Sequence, residues 1–294
     1  MRAAVADEQV RSGGGKLSTL VRKYPALCLV VLAMIFGTVP TVLVAAGVLP
    51  TGASQLGALS AGLAGIVLAA IEGRKGGVRE LLSRFLIWRV GIWWWVFAFF
   101  GTILPAVAGL YLFSLLGGPA VDWSGLKPVY TVIPTIIILT ILAGVGEEFG
   151  WRGFALPRLQ VRHNALVSSL IVGLIWGIWH IPLFFTPGTV QSAWRAEAGL
   201  IVPILGYTLF CIAWSIQYTW VFNNTRGSVL LAAVVHGAGN AFMGQYIDVY
   251  RGHFWGIVTF MVVSLTVSAI IVLAAGPTHL SRTEERDRLE PEAA

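Results

Sequence analysis

Charge is what this sequence has least of. Only 12% of its 294 residues are Asp, Glu, Lys or Arg, about half the share a soluble globular chain carries. So few charges cannot cover a water-exposed surface, which excludes a soluble globular domain. Cysteine is also scarce. Cys28 and Cys211 are the only two, and both lie inside apolar runs. That excludes a disulfide framework and any cysteine-paired zinc site, leaving two free thiols packed among helices. The net charge of +6 does not point to nucleic acid. The basic residues flank apolar runs, as residues at a membrane edge do.

What is abundant is apolar surface. Hydrophobic residues make up 56% of the chain, with a mean hydropathy of +0.79. A helix needs about 20 apolar residues to cross a bilayer. Eight stretches qualify, near 25–49, 54–72, 91–116, 129–150, 165–185, 199–222, 228–247 and 254–275. The expected fold is therefore all-α, a polytopic membrane protein of about eight transmembrane helices. The run from Pro25 to Pro50 follows Arg22 and Lys23. It is longer than the ~7–15-residue apolar core of a cleavable signal, so it reads as a retained first span. Residues 76–89 mix Arg79, Glu80, Arg84 and Arg89 with Leu81, Leu82, Phe85 and Leu86, spacing that predicts one amphipathic helix on the membrane surface.

These spans divide the chain into a disordered tail at 1–22, one transmembrane domain at 23–276 with a core at 129–247, and a second tail at 277–294. With that topology, 17 of the 20 Lys and Arg residues fall on one side. Cytoplasmic loops carry the basic excess, so both termini are expected in the cytoplasm. The expected location is the plasma membrane of a bacterium.

Against this background the hard polar residues inside the spans stand out. The fourth span carries Glu147 and Glu148, followed by Arg152. The fifth carries His180, and the seventh His236 and Asn240. A charged side chain at the bilayer centre costs about 2.5–3.5 kcal/mol on insertion scales, so such residues mark functional sites by default. Adjacent glutamates point roughly 100° apart on a helix and cannot easily share one task. Glu148 is spaced to pair with Arg152, leaving Glu147 the freer carboxylate. His236 and Asn240 share one helical face.

The blander reading of each group is structural. A lone histidine in a span ties helices together more often than it catalyses, and a Glu–Arg pair can do the same. Two carboxylates, two histidines and an amide on separate spans are an expensive way to pack helices. Amide hydrolysis needs an activated water, donors for the oxyanion and a proton for the leaving nitrogen. A glutamate can take the proton, one histidine can position the water, and a histidine with an asparagine can face the oxyanion. Two histidines and a carboxylate can instead hold zinc, with the other glutamate as base. The ligands would be Glu148, His180 and His236, although no HExxH signature is present. A proton-coupled transporter, or a non-catalytic scaffold or immunity protein, would also use buried polar groups. Glycines flank the glutamate pair and permit the broken helices of a transporter, but no second half mirrors them.

The motifs themselves carry a resemblance. Glu147-Glu148-Phe149-Gly150-Trp151-Arg152 reads as EExxxR. Trp176-Gly177-Ile178-Trp179-His180 reads as FxxxH with Trp in place of Phe, and His236-Gly237-Ala238-Gly239-Asn240 as HxxxN. In order and spacing these resemble the CPBP family of intramembrane proteases, also known as the CAAX protease or Abi family, over residues 129–247. The resemblance implies an eight-span protease whose cavity opens to the cytoplasm. It implies Glu147 as the water-activating base with His180 beside it, and His236 with Asn240 as the oxyanion pair. Glu148 and Arg152 would support the motif. The family has been described both as metalloproteases and as metal-independent glutamate proteases; Asn240 suits the second, with no cofactor. The implied partners are a membrane-associated protein or peptide substrate and the lipid bilayer.

Overall fold

The computed structural model describes residues 16–50, 56–249 and 253–281. Every described element is helical. The chain runs through α1 (Lys16–Lys23), α2 (Pro25–Ala45), α3 (Ser60–Ser83), α4 (Ile92–Phe100), α5 (Ile103–Leu115) and α6 (Val129–Leu139). α7 (Gly146–Glu148), α8 (Leu156–Gln160), α9 (Ala165–Trp179), α10 (Val190–Ala198), α11 (Ile201–Asn224), α12 (Val229–Val249) and α13 (Phe254–Ala275) follow. Among the described residues, seven segments are long and apolar enough to span a membrane.

The expected seventh span, 228–247, forms the 21-residue helix α12. Its residues 231–239 are all buried, so protein and not lipid surrounds this part of the helix. α12 packs on the stretch Thr140–Val145 and on α6, which sets its polar residues against the glutamate pair.

Three expectations at the edges need correction. The separate amphipathic surface helix at 76–89 does not exist: α3 continues to Ser83 and ends in a short 3-10 turn, Arg84–Leu86. Leu81 is buried and lies against Gly153, so tertiary packing extends the spanning helix. Nor is the N-terminal tail unstructured throughout. Residues 16–22 belong to α1, which buries Ser18 and Val21. Arg162 ties α1 down by donating to the Arg22 and Lys23 carbonyls at 2.8 and 2.7 Å. At the other end, Leu280 is buried and its carbonyl accepts from Asn224 at 2.8 Å. The exposed residues just before it are tied down too: the Pro277, Thr278 and His279 carbonyls accept from Leu166, Ala165 and Asn223. Residues 1–15 and 282–294, also expected to be disordered, lie outside the described residues.

α3 reaches the glutamate helix through glycine. A Cβ on Gly62 would sit 2.5 Å from the Gly146 carbonyl oxygen. Gly62→Val should therefore lower stability by about 1–3 kcal/mol, the usual cost of overpacking. Thermal unfolding in detergent micelles measures it; an unchanged midpoint would mean that the two backbones do not touch.

Candidate active site

The helix carrying the glutamates changes its winding twice. After α6 it opens into a π-helical segment at Thr140–Val145, tightens at α7, and opens again at Phe149–Ala155. Such segments are rare and concentrate at functional sites. Here they bracket Glu147 and Glu148.

Glu147 is 4% exposed. Its Oε2 accepts from the Trp176 indole Nε1 at 2.7 Å and, more weakly, from Trp151 Nε1 at 3.4 Å. Its Oε1 lies 4.0 Å from His236 Nε2. One carboxylate oxygen is thus held by indoles, and the other faces an imidazole.

Glu148 lives in a different environment. It has no exposed surface, and neither has Arg152. Arg152 Nη1 donates to Glu148 Oε1 at 3.1 Å and lies 3.0 Å from Oε2. The guanidinium sits over the rings of Trp176 and Tyr218, at 5.3 and 4.8 Å from their centroids. His236 Nδ1 is 2.9 Å from Glu148 Oε1. With Glu148 ionised opposite Arg152, that oxygen accepts, so Nδ1 carries the hydrogen and Nε2 presents a lone pair toward Glu147. Arg152, Glu148 and His236 form a chain that ends at Glu147.

His180 closes α9. Its Nδ1 is 2.9 Å from the Trp176 carbonyl oxygen. A carbonyl only accepts, so Nδ1 carries the hydrogen and Nε2 keeps the lone pair. The ring stands edge-on to Trp179 and Tyr207, with centroids 4.7 and 4.9 Å away. Asn240 lies half-buried one turn beyond His236 on α12.

The sequence-based pairing therefore shifts in detail. The imidazole brought to 4.0 Å from Glu147 is that of His236. His180 joins through Trp176, whose indole holds Glu147 and whose carbonyl holds His180. Sequence reasoning missed Trp151 and Tyr218 as part of the site. Trp176 had left one trace, as a tryptophan where the resembled motif has phenylalanine.

The zinc set anticipated from sequence, Glu148, His180 and His236, does not fit these positions. Glu148 binds the Nδ1 side of His236 and is neutralised by Arg152, so it cannot share a metal with His236 Nε2. Among the described residues, no three His, Cys, Asp or Glu side chains stand where they could hold a metal ion together.

All six candidate residues, Glu147 to Asn240, lie in one stretch. Residues 128–242 match the family model described as Type II CAAX prenyl endopeptidase Rce1-like. This segment resembles that family. A curated protein of Methanococcus maripaludis named CAAX prenyl protease 2 is 31% identical to the chain over 144 residues. That match covers 46% of this chain and 50% of the relative, so the chain spans about half the length of the curated relative it matches. The matched segment runs from α6 into α12 and includes both π-helical stretches.

Proposed function

We propose that this chain is an intramembrane endopeptidase that hydrolyses a peptide bond near the membrane surface in a membrane-associated, CAAX-type protein or peptide. One observation carries the reading: Glu147 Oε1 and His236 Nε2 face each other across 4.0 Å inside a buried site. That gap is too long for a hydrogen bond and suits a water bonded to both. Glu147 takes a proton from the water as the oxygen attacks the scissile carbonyl carbon. The tetrahedral oxyanion is met by the Asn240 carboxamide and by His236. Nε2 donates only after His236 has taken up a second proton from bulk water before the attack, a charge that the Glu148 carboxylate at Nδ1 compensates; Nε2–H then bonds first the water and then the oxyanion. Glu147 then returns its proton to the leaving nitrogen as the C–N bond breaks. His180 Nε2 is a second acceptor for the water. Glu148 and Arg152 orient His236 and do not touch substrate.

The CAAX prenyl substrate comes to this chain from the family description and the relative's name. The basic-residue asymmetry supports a reading in which both termini lie in the cytoplasm.

The test is cleavage of a farnesylated peptide ending in a CAAX segment by purified protein in liposomes. No metal enters the proposed chemistry, so cleavage should survive a strong zinc chelator within about twofold, since no ligand is removed. Loss on chelation with recovery on adding zinc would overturn the metal-independent mechanism.

A further inference from the structure

We propose that Trp176 is a positioning residue for Glu147, acting through its indole N–H and not only through its ring. The proposal rests on the protease reading above. Packing alone does not require a nitrogen at this place. Trp176 is 3% exposed, and its ring already meets His236 at 5.3 Å between centroids, Tyr218 at 5.9 Å and the Arg152 guanidinium at 5.3 Å. A phenyl ring could fill much of that role. The indole adds one donor, and the donor points at the carboxylate.

The 2.7 Å separation between Nε1 and Oε2 is short, as expected for a hydrogen bond to an ionised acceptor. Its consequence is geometric. The terminal torsion of a glutamate is broad and roughly two-fold, so an unheld carboxylate rotates with little resistance. With Oε2 held by Trp176, and more weakly by Trp151, only Oε1 is offered to His236 and to the water between them. Trp176 is itself fixed, because its carbonyl accepts from His180. One residue therefore sets the base and the second imidazole relative to each other.

The experiment compares wild type with Trp176→Phe, and with 3-benzothienylalanine at position 176, which replaces N–H by sulfur at nearly unchanged shape. On the farnesylated peptide, both variants should lose about 10- to 100-fold in kcat, the usual penalty for a small misplacement of a reacting group. KM and the thermal midpoint should stay near wild type. Independent of turnover, ultraviolet resonance Raman difference spectra of wild type against Trp176→Phe should show a strongly hydrogen-bonded indole N–H, and that band should move in Glu147→Gln.

Full kcat in the benzothienyl variant would overturn the proposal, as would a rise in KM at constant kcat or a Raman band of a free indole N–H. If Trp176→Phe does not fold, the benzothienyl variant and the Raman shift in Glu147→Gln decide. Failure of the underlying reading looks different: wild type would then leave the peptide uncut, or Glu147→Gln would keep cleaving, whatever Trp176 does.

Discussion

Glu147→Gln should abolish cleavage of the farnesylated peptide, by at least about 10²–10⁴-fold, the share of rate that a general base supplies, while the protein folds as before. The substitution is nearly isosteric. The Gln side-chain oxygen still accepts from Trp176 Nε1, so the indole partner at 2.7 Å in wild type is not left empty. What disappears is the ability to take a proton from water. Removing a charge that is 4% exposed and has no cation bonded to it should not lower the thermal midpoint. Peptide turnover and a melting curve on the same preparation check both halves. Retained cleavage would remove Glu147 from the mechanism, and a collapsed melting curve would make it a structural residue.

Arg152→Ala should do the opposite. Glu148 and Arg152 have no exposed surface and bond to each other at 3.1 Å. Deleting one member of such a pair strands the other charge in the interior, at a cost of about 3–5 kcal/mol. The midpoint should fall steeply, and activity with it, because His236 loses its ordered partner at Nδ1. The double variant Glu148→Gln with Arg152→Met distinguishes this from a direct role of Arg152. It removes both charges together, and replacing a buried pair by neutral groups is often close to neutral in stability. The melting midpoint should return most of the way to wild type. If the double variant melts as low as Arg152→Ala, the loss comes from guanidinium packing between Trp176 and Tyr218 and not from a stranded carboxylate.

These opposite outcomes for neighbouring positions come from the environment of each carboxylate. Nothing in the string Glu147-Glu148 distinguishes them except the spacing to Arg152. That spacing was enough to pair Glu148 with the arginine and to leave Glu147 for chemistry. It was not enough to reveal the indole donors, which arrive from Trp176 on another helix and from Trp151 four residues along a π-helical stretch. The π segments were themselves hidden, because a run such as Thr140–Val145 has the same apolar composition in either winding. The expected surface helix failed for a related reason: local amphipathicity proposed an independent element, but burial of Leu81 beneath Gly153 made it the end of α3.

Composition and pattern alone establish a membrane-embedded helical chain, the charged groups that do not belong in lipid, and the spacing of three polar motifs. Those properties depend on short-range sums along the backbone: hydropathy per turn, charge per loop, residues per helical face. Which imidazole stands opposite Glu147, which carboxylate is neutralised by a guanidinium, and which oxygen remains open to water depend on contacts 29 and 88 residues apart along the chain. Such contacts exist only once the helices have packed, so no local reading of the residues could assign them.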